Sequence, residues 1–173
     1  MNILVTGCAG FIGYNFTLFL LKKKKFNVFG LDNLNHYYDV NLKKNRLSIL
    51  KKNKKFFFQK IDICETNKIE RFFKKNKITH VVHLAAQAGV RYSIENPRKY
   101  MESNMLGFFN ILDFSQKYKI NHLVYASTSS VYGDNKNYPL QENFITDNPI
   151  SFYAATKKSN EIMAYSYSYI YKL

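Results

Sequence analysis

A chain of 173 residues, 46% hydrophobic and 17% aromatic, suffices for one domain with a real core and is too apolar for a disordered segment. Its two cysteines, Cys8 and Cys64, exclude a disulfide framework or a cysteine zinc site, and no apolar run reaches the length of a membrane span. The formal net charge of +14 invites a nucleic-acid partner, but the lysines come in short blocks: Lys22 to Lys25, Lys51 to Lys55 (broken by Asn53), and Lys74, Lys75 and Lys77. Each block falls where a helix should end and a strand begin, so the charge reads as solvated faces that complement helix dipoles. No specific nucleic-acid partner, membrane or metal is expected, and part of the excess charge suits the steering of an anionic substrate. The chain enters a strand without a charged leader region, and free thiols suit a reducing compartment, so the expected location is cytoplasmic.

The chain opens on a short apolar strand, Ile3 to Val5, followed by glycines at 7, 10 and 13 and then by helical spacing of Phe11, Ile12, Phe16 and Leu20. A second strand, Phe26 to Leu31, ends in Asp32. Leu42, Leu47 and Leu50 have helical spacing and lead to a third strand, Phe56 to Ile61, ending in Asp62. A helix over Thr66 to Lys75 precedes a fourth strand, His80 to Leu84. A long helix from Pro97 to Lys117 precedes a fifth, His122 to Ala126, and a last helix runs from near Ile150 to Tyr171. Pro97 and Pro149 stand where helices should begin. The tyrosines at 165, 167, 169 and 171 read as core. Alternating apolar strands and helices predict an α/β fold, a doubly wound parallel sheet whose ligands bind at the carboxyl ends of the strands.

Every unusual residue falls at that edge. Gly7 permits a sharp bend, Gly10 a close approach of backbone to a pyrophosphate, and Gly13 close packing of helix on strand, while the helix N-terminus faces the phosphates. Placed between strand and helix, with Asp32 ending the next strand, this turn predicts a dinucleotide site; an ordinary tight turn is the competing reading. A carboxylate at Asp32 can accept both ribose hydroxyls and repels a 2′-phosphate, favouring NAD over NADP. Asp62 suits an adenine amino group or a strand-end cap equally well. Ala85-Ala86-Gln87-Ala88-Gly89 offers small residues against a flat ligand. Tyr153 and Lys157 share a helix face, and the lysine charge favours a phenolate on a side chain whose free pKa is about 10. Ser127-Thr128-Ser129-Ser130 brings hydroxyls to the same sheet edge.

These motifs resemble the extended short-chain dehydrogenases, the NAD-dependent epimerase/dehydratase family. Leu31 to Val40, Ala85 to Ser93 and Tyr153 to Lys158 are similar to its UDP-glucuronate 4-epimerase branch. The resemblance covers the whole chain. It implies an isomerase with bound NAD that interconverts UDP-glucuronate and UDP-galacturonate through a 4-keto sugar, in nucleotide-sugar metabolism and polysaccharide biosynthesis. Tyr153 would take the proton of the sugar 4-hydroxyl, Lys157 would hold the nicotinamide ribose, and Thr128 would bond the same sugar oxygen. Gly7, Gly10, Phe11, Ile12, Gly13, Asp32, Asn33, Asp62, Ile63, Ala85, Ala86, Asn104, Tyr153 and Lys157 would contact the cofactor. Arg91, Thr128, Ser129 and Ser130 would lie near the substrate, the serines equally readable as caps and Arg91 as a surface charge.

Sugar 4,6-dehydratases carry an acid pair where this chain has Ser129 and Ser130, and UDP-glucuronate decarboxylases a glutamate at the second place. Neutral serines favour epimerisation with the carboxylate retained, with another NAD-dependent nucleotide-sugar epimerase or decarboxylase as the alternative. Family members run to roughly twice a single-domain length. Residues 1–173 are therefore expected to be one NAD-binding domain, incomplete and without the substrate lobe. On that reading the chain alone is inactive or a non-catalytic dinucleotide-binding module, and a homodimer is compatible with it.

Overall fold

In the computed structural model, which describes residues 1–173, strand β1 (Asn2–Thr6) runs through the middle of a five-stranded parallel sheet. Its neighbours are β2 (Asn27–Asp32) and β4 (His80–His83), with β3 (Phe56–Lys60) outside β2 and β5 (His122–Tyr125) outside β4. The connections are helical: α1 (Phe11–Lys22), α2 (Val40–Leu50), α3 (Thr66–Asn76), α4 (Val90–Glu95), α5 (Pro97–Tyr100) and α6 (Phe108–Lys117), with α7 (Phe152–Tyr171) last. The order β3-β2-β1-β4-β5 puts the reversal of winding between β1 and β4, so a crevice opens at their carboxyl ends. The doubly wound parallel sheet expected from the sequence is the fold observed. No helix is long and apolar enough to cross a membrane.

Successive side chains of a strand point to opposite faces, and β1 therefore feeds two cores. Leu4 joins Leu31, Val81 and the α3 and α6 residues Phe72, Phe73 and Ile111. Ile3 and Val5 join Val28, Phe56 and the α1 and α2 residues Leu20, Leu21 and Leu47. Burial of both strand faces is why these strands read as continuous apolar runs.

Four expectations need correction, and one short helix lies outside them. The buried face of α2 is Lys43, Leu47 and Leu50, and Leu42 is exposed. The stripe passes through a lysine whose aliphatic stem fills an apolar place while its ammonium finds polar partners. The rod from Pro97 to Lys117 is continuous, but its middle, Met101–Gly107, is π-helical. α4, only six residues long, shows no period that a sequence could reveal. Pro149 does not open the last helix: Ser151, whose Oγ accepts from the Ala154 amide (3.1 Å), caps it and α7 starts at Phe152. The C-terminal tyrosines are mostly not core. Tyr165, Tyr169 and Tyr171 are exposed with Ile162 and Ile170, because β5 pairs only with β4 and the groove between β5 and these turns is open. Tyr167 alone turns inward, donating to Asp113 Oδ1 (3.2 Å).

Candidate functional site

The loop after β1 lies against the loop after β4. Gly7 has φ of +69°, its amide donates to Leu31 O (2.8 Å), and a Cβ on it would stand 2.9 Å from Ala85 N. Gly13 is held more tightly: a Cβ there would lie 2.1 Å from Gly7 O, far inside van der Waals contact. Helix α1 is thus pressed onto the strand end. Its N-cap is Gly10, which has no side chain to close the helix, so the amides of the first turn are left for an anion. Phe11 and Ile12 have exposed side chains, and backbone is what they can present.

Asp32, at the end of β2, is aimed by two amides: Ala9 N–H donates to Oδ2 (3.1 Å) and Leu34 N–H to Oδ1 (2.8 Å). Gly7, Gly10, Asp32, Asn33, Ile63, Ala85 and Ala86, all expected cofactor positions, line one crevice. Gly13 lies beneath it. Asp62 stands just outside, in an adjoining polar hollow shared with Asn33, and accepts from Asn33 Nδ2 (2.8 Å) and Cys64 N (2.9 Å). Burial pushes the Asp62 carboxyl up, but these hydrogen bonds outweigh it and hold the pKa below the usual value.

The floor of the crevice is tied down from below and behind. Thr6 Oγ1 accepts from the amides of Leu84 and Ala85 (both 3.1 Å) and bonds His83 Nδ1 (2.8 Å). Two amides occupy the oxygen, so its own hydrogen goes to Nδ1 and the neutral imidazole carries its proton on Nε2. Burial, with Lys157 adding in the same direction, lowers the His83 pKa to about 3. Behind the floor, Asn104 is buried in the π-helical segment. Its side chain accepts from Gln87 N (2.8 Å) and donates to Gln87 O (3.1 Å) and Thr156 Oγ1 (3.1 Å), while Asn160 Nδ2 donates to Asn104 O (2.6 Å). Both amide hydrogens of Asn104 are committed to protein, so its observed work is to join the floor to α7.

Helix α7 meets the end of β5 through Lys157, whose Nζ donates to Ala126 O (2.8 Å). Burial pushes the Lys157 pKa down to about 8. Tyr153, one turn earlier and half-buried, meets the ring of Tyr100 edge-on at 6.0 Å. Tyr100 is anchored by its hydroxyl, which bonds Ala88 O (2.8 Å) and Gly89 O. Thr128 begins the turn Ser129–Tyr132, and its Oγ1 accepts from Ser130 N (3.2 Å) and donates to Ser130 Oγ (3.2 Å). The cap is therefore the threonine, with Ser130 as its partner. Ser129 is exposed, and Arg91, exposed on α4, makes no ion pair.

Several site residues escape a reading by motif. Lys43 Nζ donates to Asn35 O (2.8 Å) and Oδ1 (2.7 Å) and lies over the Tyr38 ring at 4.3 Å. Burial lowers its pKa, and the charge of Asp32 partly offsets this. Arg46 Nη1 donates to Ala9 O (3.2 Å), tying α2 to the glycine loop. Assigning the buried face of α2 from Leu47 and Leu50 alone would have pointed to Lys43. The observed set suits a dinucleotide: a glycine cradle that a Cβ would fill, an uncapped helix N-terminus and an amide-aimed carboxylate.

Residues 4–173 match the family described as GDP-mannose 4,6 dehydratase. Protein CapI of Staphylococcus aureus is 50% identical over 174 residues, covering 100% of this chain and 51% of its own length. The UDP-glucuronate 4-epimerase of Thermodesulfobacterium geofontis is 47% identical, covering 98% and 52%. Among solved structures, the UDP-glucuronic acid 4-epimerase of Bacillus cereus, crystallised with UDP-glucuronic acid and NAD, superposes with a TM-score of 0.92 at 32% identity. That match covers 100% of this chain and 54% of the other. The chain spans about half the length of the curated relatives it matches.

Proposed function

The chain belongs to the NAD-dependent epimerase/dehydratase family, and from that premise we propose that it forms the cofactor-binding and proton-transfer part of a UDP-glucuronate 4-epimerase. The observation that carries the reading is the Lys157–Ala126 contact, which docks the helix bearing Tyr153 onto the strand end bearing Thr128. NAD, when bound, supplies an acceptor and donor of hydride. Gly7, Gly10 and the first-turn amides of α1 would hold its pyrophosphate, Asp32 its adenosine ribose, and Asn33 with Asp62 the adenine side. One hydrogen of the Lys157 ammonium goes to Ala126 O, which leaves two for ribose hydroxyls. Tyr153, one turn before Lys157 on the same helix, would be the base for the sugar 4-hydroxyl. Thr128 would donate to the same oxygen as it becomes a carbonyl, exchanging its bond to Ser130. The neutral Ser129 and Ser130 impose no repulsion on a sugar carboxylate, which supports epimerisation over decarboxylation.

The test is NMR of UDP-glucuronate incubated with NAD and this chain, alone and fused to the second half of the CapI relative. The fusion is expected to form UDP-galacturonate and the 173-residue chain none, because positioning of the sugar can supply roughly 7–11 kcal/mol of barrier lowering. In the fusion, Tyr153→Phe should abolish turnover and spare NAD binding. A UDP-pentose as the main product would replace the epimerase reading by the decarboxylase one.

A further inference from the structure

Two contacts on consecutive turns of α7 grip neighbouring residues of the same short segment, one through its backbone and one through a side chain. Lys157 Nζ donates to Ala126 O (2.8 Å), and one turn further Glu161 Oε1 accepts from Ser127 Oγ (2.5 Å). Tyr153, Lys157 and Glu161 stand at i, i+4 and i+8, on one face of the helix. Thr128 is extended (φ −156°, ψ 147°), so Ser127 and Thr128 leave the backbone on opposite sides. Ser127 is thereby turned to the helix while Thr128 is left to the site. Glu161 is itself steadied by Lys158 (3.6 Å), which also donates to Thr146 Oγ1 in the loop before α7. Nothing in the family reading uses Ser127 or Glu161.

We propose that Glu161 is a positioning residue: through Ser127 Oγ it fixes the Ala126–Thr128 segment, and so sets where Lys157 is held and where Thr128 stands relative to Tyr153. The clasp rests on the functional reading for the roles of Tyr153 and Thr128, but its geometry is testable on the chain alone. Without it the segment is free to leave the helix, the Ala126 carbonyl draws back and water reaches the ammonium. Solvation then raises the Lys157 pKa. Direct electrostatics has the opposite sign, because deleting a nearby carboxylate lowers the pKa of an ammonium. The other titratable groups about the clasp are His83, which burial and the Lys157 charge push down, Tyr125 on β5, which burial and Glu161 push up, and Tyr153 and Lys158 on α7, and all are retained in the variants used.

The experiment follows the Lys157 side chain by isotope-edited NMR, assigned with Lys157→Arg, across pH 6 to 11 in Glu161→Ala, Ser127→Ala and Glu161→Gln. Both alanine variants should move the midpoint upward, by about half a pH unit or more. Glu161→Gln, whose amide oxygen still accepts from Ser127, should titrate at or slightly below the parent, the lost charge then acting alone. An unmoved or lowered midpoint in the alanine variants overturns the proposal. So does a Gln variant whose midpoint rises like that of Ala, which would mean that the hydrogen bond to Ser127 is not what holds the segment. Ser127→Ala changes an exposed site and carries the test if Glu161→Ala fails to fold. In calorimetry the alanine variants should bind NAD about fivefold more weakly and ADP equally well, since the loss of one hydrogen bond affects only the nicotinamide end. Equal loss for NAD and ADP overturns a local role. A parent chain that binds no NAD, with the titration as expected, removes the functional reading and leaves the clasp standing.

Discussion

Replacing Lys157 by Met should make the protein more stable at neutral pH while removing its grip on a cofactor. Lys157 is 5% exposed, and burial brings its pKa from 10.5 to about 8. That drop corresponds to about 3 kcal/mol of cost for keeping the ammonium charged in the fold. The unfolded chain keeps this proton up to about pH 10.5 and the folded chain only to about 8. Between those values the unfolded state binds more protons, so stability rises with pH across the window; below 8 the full cost is present. Methionine fills the same space without a charge and forfeits the bond to Ala126 O, worth about 1 kcal/mol. The net expectation is a gain of about 2 kcal/mol at pH 7 that shrinks nearly to nothing by pH 9.5. Urea unfolding followed by circular dichroism at the two pH values measures it. A variant less stable than the parent at pH 7, or an advantage independent of pH, would refute the account of Lys157 as a strained buried cation.

Gly13→Ala should destabilise the fold by about 3 kcal/mol, since its Cβ would meet the Gly7 carbonyl oxygen at 2.1 Å. Gly10→Ala, whose nearest contact would be 3.1 Å, is the control, and a thermal melt in which both fall equally contradicts the packing argument. Calorimetry should show NAD preferred over NADP, with Asp32→Ala narrowing the preference about tenfold through loss of charge-assisted hydrogen bonds. Better NADP binding by the parent would mean that Lys43 and Arg46, not Asp32, govern the ribose end.

Local features were the legible ones. The strands announce themselves as apolar runs because both faces of the sheet are covered. The glycine turn and Asp32 lie within a few tens of residues of each other, and fixed spacing identifies them. What the sequence conceals is made by distant partners. Asn104 reaches Gln87 across 17 residues, Thr156 across 52 and Asn160 across 56, and no periodicity encodes such a web. A π-helical stretch breaks the 3.6-residue period that would have revealed which side of it faces inward. Lys43 was hidden by its type, because a lysine is assigned to solvent by default. The exposed tyrosines of α7 mislead for the opposite reason: aromatic residues are assigned to a core, and the groove between this part of the helix and β5 is left open.

The open side of β5 has a consequence for how copies of this chain behave together. A strand paired on one side only offers a row of backbone donors and acceptors to any other strand, and Val124 stands exposed along it. Pairing requires an approach to about 4.8 Å, whereas repulsion between bodies of charge +14 extends about 30 Å at 0.01 M salt and about 8 Å at physiological strength. The lysines at the helix ends therefore act as a colloidal brake on edge-to-edge growth. Added salt releases that brake without changing a single contact inside the fold.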